Sequence, residues 1–537
     1  MFRSKLPRTT TTWKSRVLNL LAPFRRKRPK EPSGDGATVG LQFEILEDRI
    51  LLSVTPQLIG NILDVDFATS GDAASVAIVG PNIRVFDGTA NSDFAANAVK
   101  GINVHGNGQA NQNLTLNSTV NLTGALTVTG LATVTVNGFY TVNSANLALS
   151  DTLTVASTAT ISSRHIASGD PLTALSIGNS GDLILAAPTI IVADSSRLLA
   201  GADSGFTAGN VTLTAAPPET FTTVLGLSNF TERSAAASIT IGAATFTGQN
   251  ITVTADAENG STPAPSTLNP PPPPVTLALS LLQAALQPSQ AAAMLSDAQA
   301  TLSMGPNTVI TAGGTVSLGS KAVSSSTTSN QAGLVGVSYG SSEPTASVAL
   351  ANGVSIVAGG AFSMTADVTN TLSVTTLVPA GGSVNVSLAY GLGQSAASAT
   401  VANGAAVQAA SATISSSSTN SFSTQAIAAG FNQSGSAGVG VGVAIGDYQS
   451  AANTTVGGHI TTTGSTTISS QAVNNQNVTR SFGSIATPEN SSSLLTTLQN
   501  YVSATNLPSS FNGNPISLTG AAPLSVGVGA ALTIVSS

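Results

Sequence analysis

Cysteine is absent from all 537 residues, which excludes disulfides, thiolate metal sites and cysteine nucleophiles together. Charge is scarce as well: 8% of residues are Asp, Glu, Lys or Arg, where a soluble globular protein carries about 25%. Aromatics amount to 4%, with one tryptophan, so a core built on large rings is excluded. No apolar run reaches the length needed to span a bilayer. In place of charge the chain has Ser, Thr, Asn, Gln and Gly, groups that line strands and turns and bond sideways to their equivalents in a neighbouring repeat. The apolar 42% is mostly Ala, Val, Leu and Ile, small branched side chains suited to rows in a narrow solenoid.

The charge that exists is uneven. Residues 1–30 hold ten Lys and Arg and no acid, leaving eight basic and 24 acidic side chains for the rest, a balance of −16 there against −6 overall. The leader reads Arg3, Lys5, Arg8, Lys14 and Arg16, a short apolar run from Val17 to Phe24, then Arg25-Arg26-Lys27-Arg28. That run is too short for a membrane span, and no small-residue cleavage site follows it. Three readings stay open: an atypical export leader, a leader attracted to anionic lipid, and a solvated tail. Nucleic acid is not an expected partner, because aromatic interleaving is missing and the acidic body repels phosphate.

A unit of about fifty residues recurs along the second half. Its marks are Gly305, Gly353, Gly404 and Gly458, spaced 48, 51 and 54 apart. Before each stands an alternating segment, such as Leu334-Val-Gly-Val-Ser-Tyr, Val384-Asn-Val-Ser-Leu and Val439-Gly-Val-Gly-Val; a further one, Ser525-Val-Gly-Val-Gly-Ala-Ala-Leu, begins another copy. Upstream, Leu114-Thr-Leu, Leu126-Thr-Val, Val134-Thr-Val, Leu147-Ala-Leu and Leu153-Thr-Val show period-two alternation, one buried and one wet face per strand. Short strands at close spacing stack most simply as a parallel β-helix, so the expected fold is all-β, an elongated parallel β-helix (β-solenoid) with a disordered basic N-terminal tail and short helical insertions. A fifty-residue repeat is expected to make two coils.

The expected organisation is a basic flexible leader over 1–45, a sorting motif over 46–54, a first β-rich block over 55–110 and solenoid over 111–260. There follow a Pro-rich, helix-leaning insertion over 261–303, solenoid repeats over 304–480, a second helix-leaning insertion over 481–515 and a partial repeat over 516–537. Pro270 to Pro274 must leave any ladder, because proline cannot donate to it. Gln283 to Ser303 is rich in Ala, Leu and Gln and leans helical, and Ser493 to Val502 places Leu494, Leu495, Leu498, Tyr501 and Val502 on one helical face.

Chemistry is hard to find. Residues 304–537 contain only Glu343, Asp367, Asp447 and Glu489 with Lys321 and Arg480, too sparse for a polysaccharide-cleaving site read from spacing. Asp64/Asp66 and Asp256/Glu258 alternate with apolar residues and are expected to face solvent. His105, His165 and His459 show no metal-ligand spacing. Gly438-x-Gly440-x-Gly442 lies within alternation and reads as a small-residue strand, not a nucleotide loop. The stretch Gly106 to Leu116 is a polar turn with Asn and Gln where calcium would need carboxylates. No catalytic, cofactor-binding or metal residues and no cofactor are therefore expected.

The segment Leu46, Glu47, Asp48, Arg49, Ile50, Leu51, Leu52, Ser53 resembles the LEPR-XLL motif of large extracellular proteins of planctomycete-type bacteria, with Asp48 where that family usually has proline. The resemblance implies export or surface sorting, with these eight residues as the sorting signal and the export machinery as partner. The repeat modules of residues 220–537 are similar to those of filamentous-haemagglutinin-like adhesins, although the two-partner secretion domain of such proteins is not recognisable here. Together these imply a non-enzymatic extracellular stalk or multivalent attachment surface, with cell-surface glycans or other surface proteins as partners. The alternative is a carbohydrate-active or sugar-binding β-helix whose working part lies in insertions or beyond the C-terminus.

Overall fold

The structure is a computed structural model that describes residues 54–165, 177–223, 230–260, 289–378, 384–430, 438–486 and 528–536. Met1–Ile50 and Leu51–Ser537 separate as two units, and all that follows concerns the second.

Three parallel ladders run through it, and the chain visits them in rotation. The first stacks β2 (Ile62–Phe67), β6 (Gly101–His105), β9 (Leu126–Thr129), β12 (Ala145–Ala148), β15 (Leu183–Ala186), β18 (Val211–Ala215), β22 (Ile251–Glu258), β25 (Val316–Gln331), β29 (Ala361–Val378), β32 (Ser411–Gly430) and β35 (Thr466–Ala486). The second stacks β3 (Ala73–Val79), β7 (Asn113–Leu116), β10 (Thr133–Val136), β13 (Thr152–Val155), β16 (Thr189–Val192), β20 (Phe230–Ile241) and β23 (Ser289–Met304). It continues through the pair β26 (Val335–Ser342) and β27 (Thr345–Leu350) to β30 (Val384–Val401), β33 (Gly438–Val456) and β36 (Val528–Ser536). The third, nine-stranded, stacks β8 (Thr119–Asn121), β11 (Phe139–Thr141), β14 (Thr160–Ser162), β17 (Arg197–Leu199), β21 (Thr245–Gly248), β24 (Val309–Ala312), β28 (Ser355–Ala358), β31 (Ala406–Ala409) and β34 (His459–Thr462). Antiparallel additions close the first end: β1 (Val54–Ile59) pairs with β2 through a two-residue Gly60-Asn61 turn, and β4 (Asn82–Phe86) and β5 (Asn91–Ala95) extend β3. A further strand, β19 (Thr220–Thr223), folds back on β20. The fold is the parallel β-helix that the alternation predicts.

Register turns alternation into continuous apolar rows. Val65, Val104, Val128, Leu147, Leu185, Leu213, Val253, Leu318, Met364 and Ile414 lie one above another on the first ladder and are all fully buried. Val120, Tyr140, Ile161, Leu198, Phe246, Ile310 and Ile356 do the same on the third. Each such side chain contributes about 1.5–3 kcal/mol by burial, and within each ladder the strands between its first and last described members are paired on both edges. Tyr140 keeps its hydroxyl satisfied by donating to the carbonyl of Asn117 at 3.1 Å, and burial pushes its pKa up.

The coil count differs from expectation. In the stem, Thr119, Phe139 and Thr160 are in register, so successive coils take 20 and 21 residues. Farther on, Val309, Ser355, Ala406 and His459 are in register, and coils take 46, 51 and 53. A fifty-residue repeat is thus one coil, not two. The strands of the first two ladders have lengthened, from 4 residues in β12 and β13 to 16 in β25 and 21 in β35. They face each other as a broad two-sheet blade attached to the narrow stem. The turn mark also moves: the equivalent of Gly353 and Gly404, whose φ values are 78° and 79°, is Asn307 at 61°, two residues beyond Gly305.

The helix-leaning expectation over Gln283 to Ser303 fails where it can be compared, because Ser289–Met304 is a strand. Twelve of its residues pair with β20 on one side, and fourteen, ten of them the same, pair with β26 and β27 on the other; that ladder outweighs a preference worth tenths of a kcal/mol per residue. The basic leader, the sorting motif, the polyproline stretch and the Ser493 to Val502 helix candidate lie outside the described residues.

Candidate ligand-binding cleft

The blade interior is not uniformly apolar. The main core ends near Val368, and a second cluster of Leu372, Val374, Ala389, Phe422, Ala426, Ala444 and Tyr448 fills the far part. Between them runs a buried polar seam. Asn259, Ser324, Asn370, Asn420 and Asn474 follow one another in register up the first ladder, and the first four are at most 2% exposed. They bond across to the second ladder: Ser324 Oγ to Ser296 and Ser342, Asn370 Nδ2 to the carbonyls of Ser342 at 3.0 Å and Gln394 at 2.9 Å, and Asn259 Nδ2 to the carbonyl of Asp297. Ser395 and Ser418 hydroxyls meet at 2.8 Å. The seam therefore grips the second sheet from behind at Asp297, Ser342 and Gln394.

On the outer face of that sheet, the same level carries a row of acids and amides. Ser234, Asp297, Glu343, Gln394 and Gln449 succeed one another from strand to strand. Ser341 donates to Glu343 Oε1 at 2.8 Å, and Gln299 Nε2 donates to Asp297 Oδ2 at 2.8 Å. Burial raises the Asp297 pKa; the Gln299 hydrogen bond works against this, and the charges of Glu343 and Glu232 add to it. A cleft of about 450 Å³ opens along the row, lined by Asp297, Gln299, Glu343, Gln394, Gln449 and their neighbours, with no cationic side chain among them. Behind the sheet, Ser450 stands in register with Ser395, turns its side chain to the blade interior and is 4% exposed.

Toward the blade tip the outer face turns apolar. Tyr339 and Tyr390 stack in register with ring centroids 5.6 Å apart and planes 7° from parallel. Burial raises the Tyr339 pKa to about 12, with Glu343 and Tyr390 adding to the rise. Beyond them Val335, Val337, Val384 and Leu388 are 36–54% exposed.

The residues singled out from sequence are dispersed. Asp64 pairs with His105 at 3.3 Å on the outer face near the first end. Asp256 and Glu258 both approach Lys321, which stands in register between Asp256 and Asp367; this is an ion-pair cluster on the first ladder's outer surface. His165 and His459 stand apart from these, and no group of three potential metal ligands occurs among the described residues. Gly438 to Gly442 is strand β33; a Cβ on Gly442 would lie 2.4 Å from the carbonyl oxygen of Phe482, so the glycine permits close sheet packing. In the Gly106 to Leu116 turn, Gln112 is fully buried and its Nε2 donates to the carbonyls of Phe67 and Thr69, a structural staple. Spacing missed the register of Asp297 with Glu343 and the asparagine seam; Asp297 and Glu343 are 46 residues apart, the separation of Val309 and Ser355, which only the structure shows to be in register. No family model, curated protein or solved structure matches the chain.

Proposed function

We propose that the chain is a non-enzymatic structural or adhesin-like protein of a bacterial cell surface, acting as a stalk or multivalent attachment surface. The observation that carries this reading is the unbroken parallel ladder, which gives a cysteine-free, charge-poor chain its cohesion through backbone pairing and repeats similar surfaces at every coil. Repetition raises avidity without a single strong site. The basic leader and the Leu46 to Ser53 segment support export, read by sorting machinery, and the repeat resemblance supports attachment.

The test is localisation of the tagged full chain in a planctomycete-type bacterium. The expected result is a surface fraction accessible to added protease, and retention inside the cell when Leu46, Arg49 and Leu51 are replaced by Ala. A wild-type chain confined to the cytosol and protected from protease overturns the reading. A second reading, a carbohydrate-active or sugar-binding solenoid, gains weight from the Asp297, Glu343 and Gln394 row.

A further inference from the structure

We infer that the acid and amide row on the outer face of the blade is a binding cleft for a neutral polysaccharide chain; this rests on the attachment reading and supplies its ligand class. Four observations lead there. The cleft is built: its backbone is fixed from within, since Asn259 and Asn370 bond the carbonyls of Asp297, Ser342 and Gln394. Its polar groups suit hydroxyls. Asp297 and Glu343 accept, and the carboxamides of Gln394 and Gln449 both accept and donate and have no side-chain hydrogen bond among the described residues. Its charge selects, because acids without a cation in the lining repel sulfated or uronic polymers. Its repeat matches a polymer: equivalent side chains recur once per strand, at about 4.8 Å, close to one pyranose unit along an extended chain. Leu295 and Leu392, outward and half-buried in the adjoining column, offer apolar contact to sugar C–H faces.

A cationic partner would use the acids alone and leave the carboxamides idle. The two chemistries therefore separate by which residues matter.

The experiment is affinity electrophoresis of the purified full chain through gels containing mannan, xyloglucan, mixed-linkage β-glucan, dextran, polygalacturonate or poly-lysine. Retardation is expected with at least one of the four neutral polymers and not with polygalacturonate. The paired variant Gln394→Ala with Gln449→Ala, substituted on the outer face, is expected to weaken that retardation about tenfold, the loss of one or two hydrogen bonds. Asp297→Asn with Glu343→Gln, nearly isosteric, is expected to weaken it while leaving the thermal unfolding midpoint of the chain at or above that of wild type. Retardation by none of the neutral polymers, by poly-lysine alone, or to an equal degree in wild type and the glutamine variant overturns the inference. Because localisation is read separately, a surface-located chain that ignores every glycan sinks this inference and leaves the attachment reading standing. A cytosolic chain that binds glycan does the reverse.

Discussion

Asn370 is 1% exposed, spends its Nδ2 on two carbonyls of the opposite sheet, and has no partner for its Oδ1. Asn420, one coil on, likewise leaves Oδ1 unpaired. An unpaired buried oxygen costs free energy, and the Asn370 Nδ2 bonds offset that cost by fixing the backbone at Ser342 and Gln394. Replacing Asn370 with Leu frees the carbonyls of Ser342 and Gln394 inside the blade; a loss of about 2 kcal/mol is expected in urea unfolding. Arg233 is a stricter case: 2% exposed, paired with Glu219 at 3.1 Å and set over the Phe221 ring at 5.6 Å. Glu219→Ala removes the carboxylate 3.1 Å from this buried cation and is expected to cost about 3 kcal/mol by the same measurement.

Three aspartates, Asp256, Asp297 and Asp367, have pKa values raised first by burial. Lys321 opposes the rise at Asp256 and Asp367, while Glu258 adds to it at Asp256 and Glu343 and Glu232 add to it at Asp297. A folded-state pKa above the unfolded value means stability that is fully present below about 3.9 and lost as pH rises through the folded value. The urea midpoint is therefore expected to rise as pH falls from neutrality toward 4, and Asp297→Asn to flatten part of that slope. Asp87 and Asp93 carry lowered values and the opposite sign, but they are solvent-exposed ion-pair and turn residues whose effect is screened.

At the scale of elements, the blade depends on how closely two long sheets approach. Phe422 stacks on Tyr448 with centroids 4.8 Å apart, and the Tyr448 hydroxyl meets Thr424 Oγ1 at 2.7 Å. Gly393 faces that ring so closely that an added Cβ would lie 2.6–2.9 Å from three of its carbons. Gly393→Ala is expected to destabilise by about 1–3 kcal/mol through overpacking, and in combination with Phe422→Ala to cost less than the two changes summed. A double-mutant cycle in urea reads this directly; simple additivity would mean that the contact does not set the spacing. The strand Ser289–Met304 makes a related point. Its Ala, Leu and Gln content favours a helix, and its alternation of exposed and buried residues is blurred because Ala serves on both faces. Only the neighbouring ladder distinguishes the two outcomes.

For the molecule as a whole, burial along the first ladder is uneven. Leu63 and Val65, beside the β1 and β3–β5 hairpins, are fully buried. Ile468 occupies the row of Ile414, Met364 and Leu318, yet is 52% exposed. In a solenoid whose stability is a sum of repeats and their interfaces, the coil with the more exposed row residue opens first. Native-state hydrogen exchange is expected to be fastest in β34 and β35, slower in β29, and slowest in stem strands such as β13; uniform protection along the ladder would contradict this.

The alternation of Val, Leu and Ile with Thr and Asn was enough to decide strand and the sidedness of each stem rung, because period two is a local property of the backbone, and the close spacing of short strands carried the parallel stacking. The left-handed φ at Gly60, Gly88 and Gly353 is likewise a local matter, since that region favours Gly and Asn wherever the chain runs. What only tertiary structure decided was registry. That the fifty-residue repeat closes one coil, that Asp297 meets Glu343, and that Asn259, Asn370 and Asn420 align inside the blade all depend on how much chain each coil takes up. Coil length varies from 20 to 64 residues between in-register positions. It is set by how far two facing sheets extend before they must turn, a balance of long-range packing that no local spacing encodes.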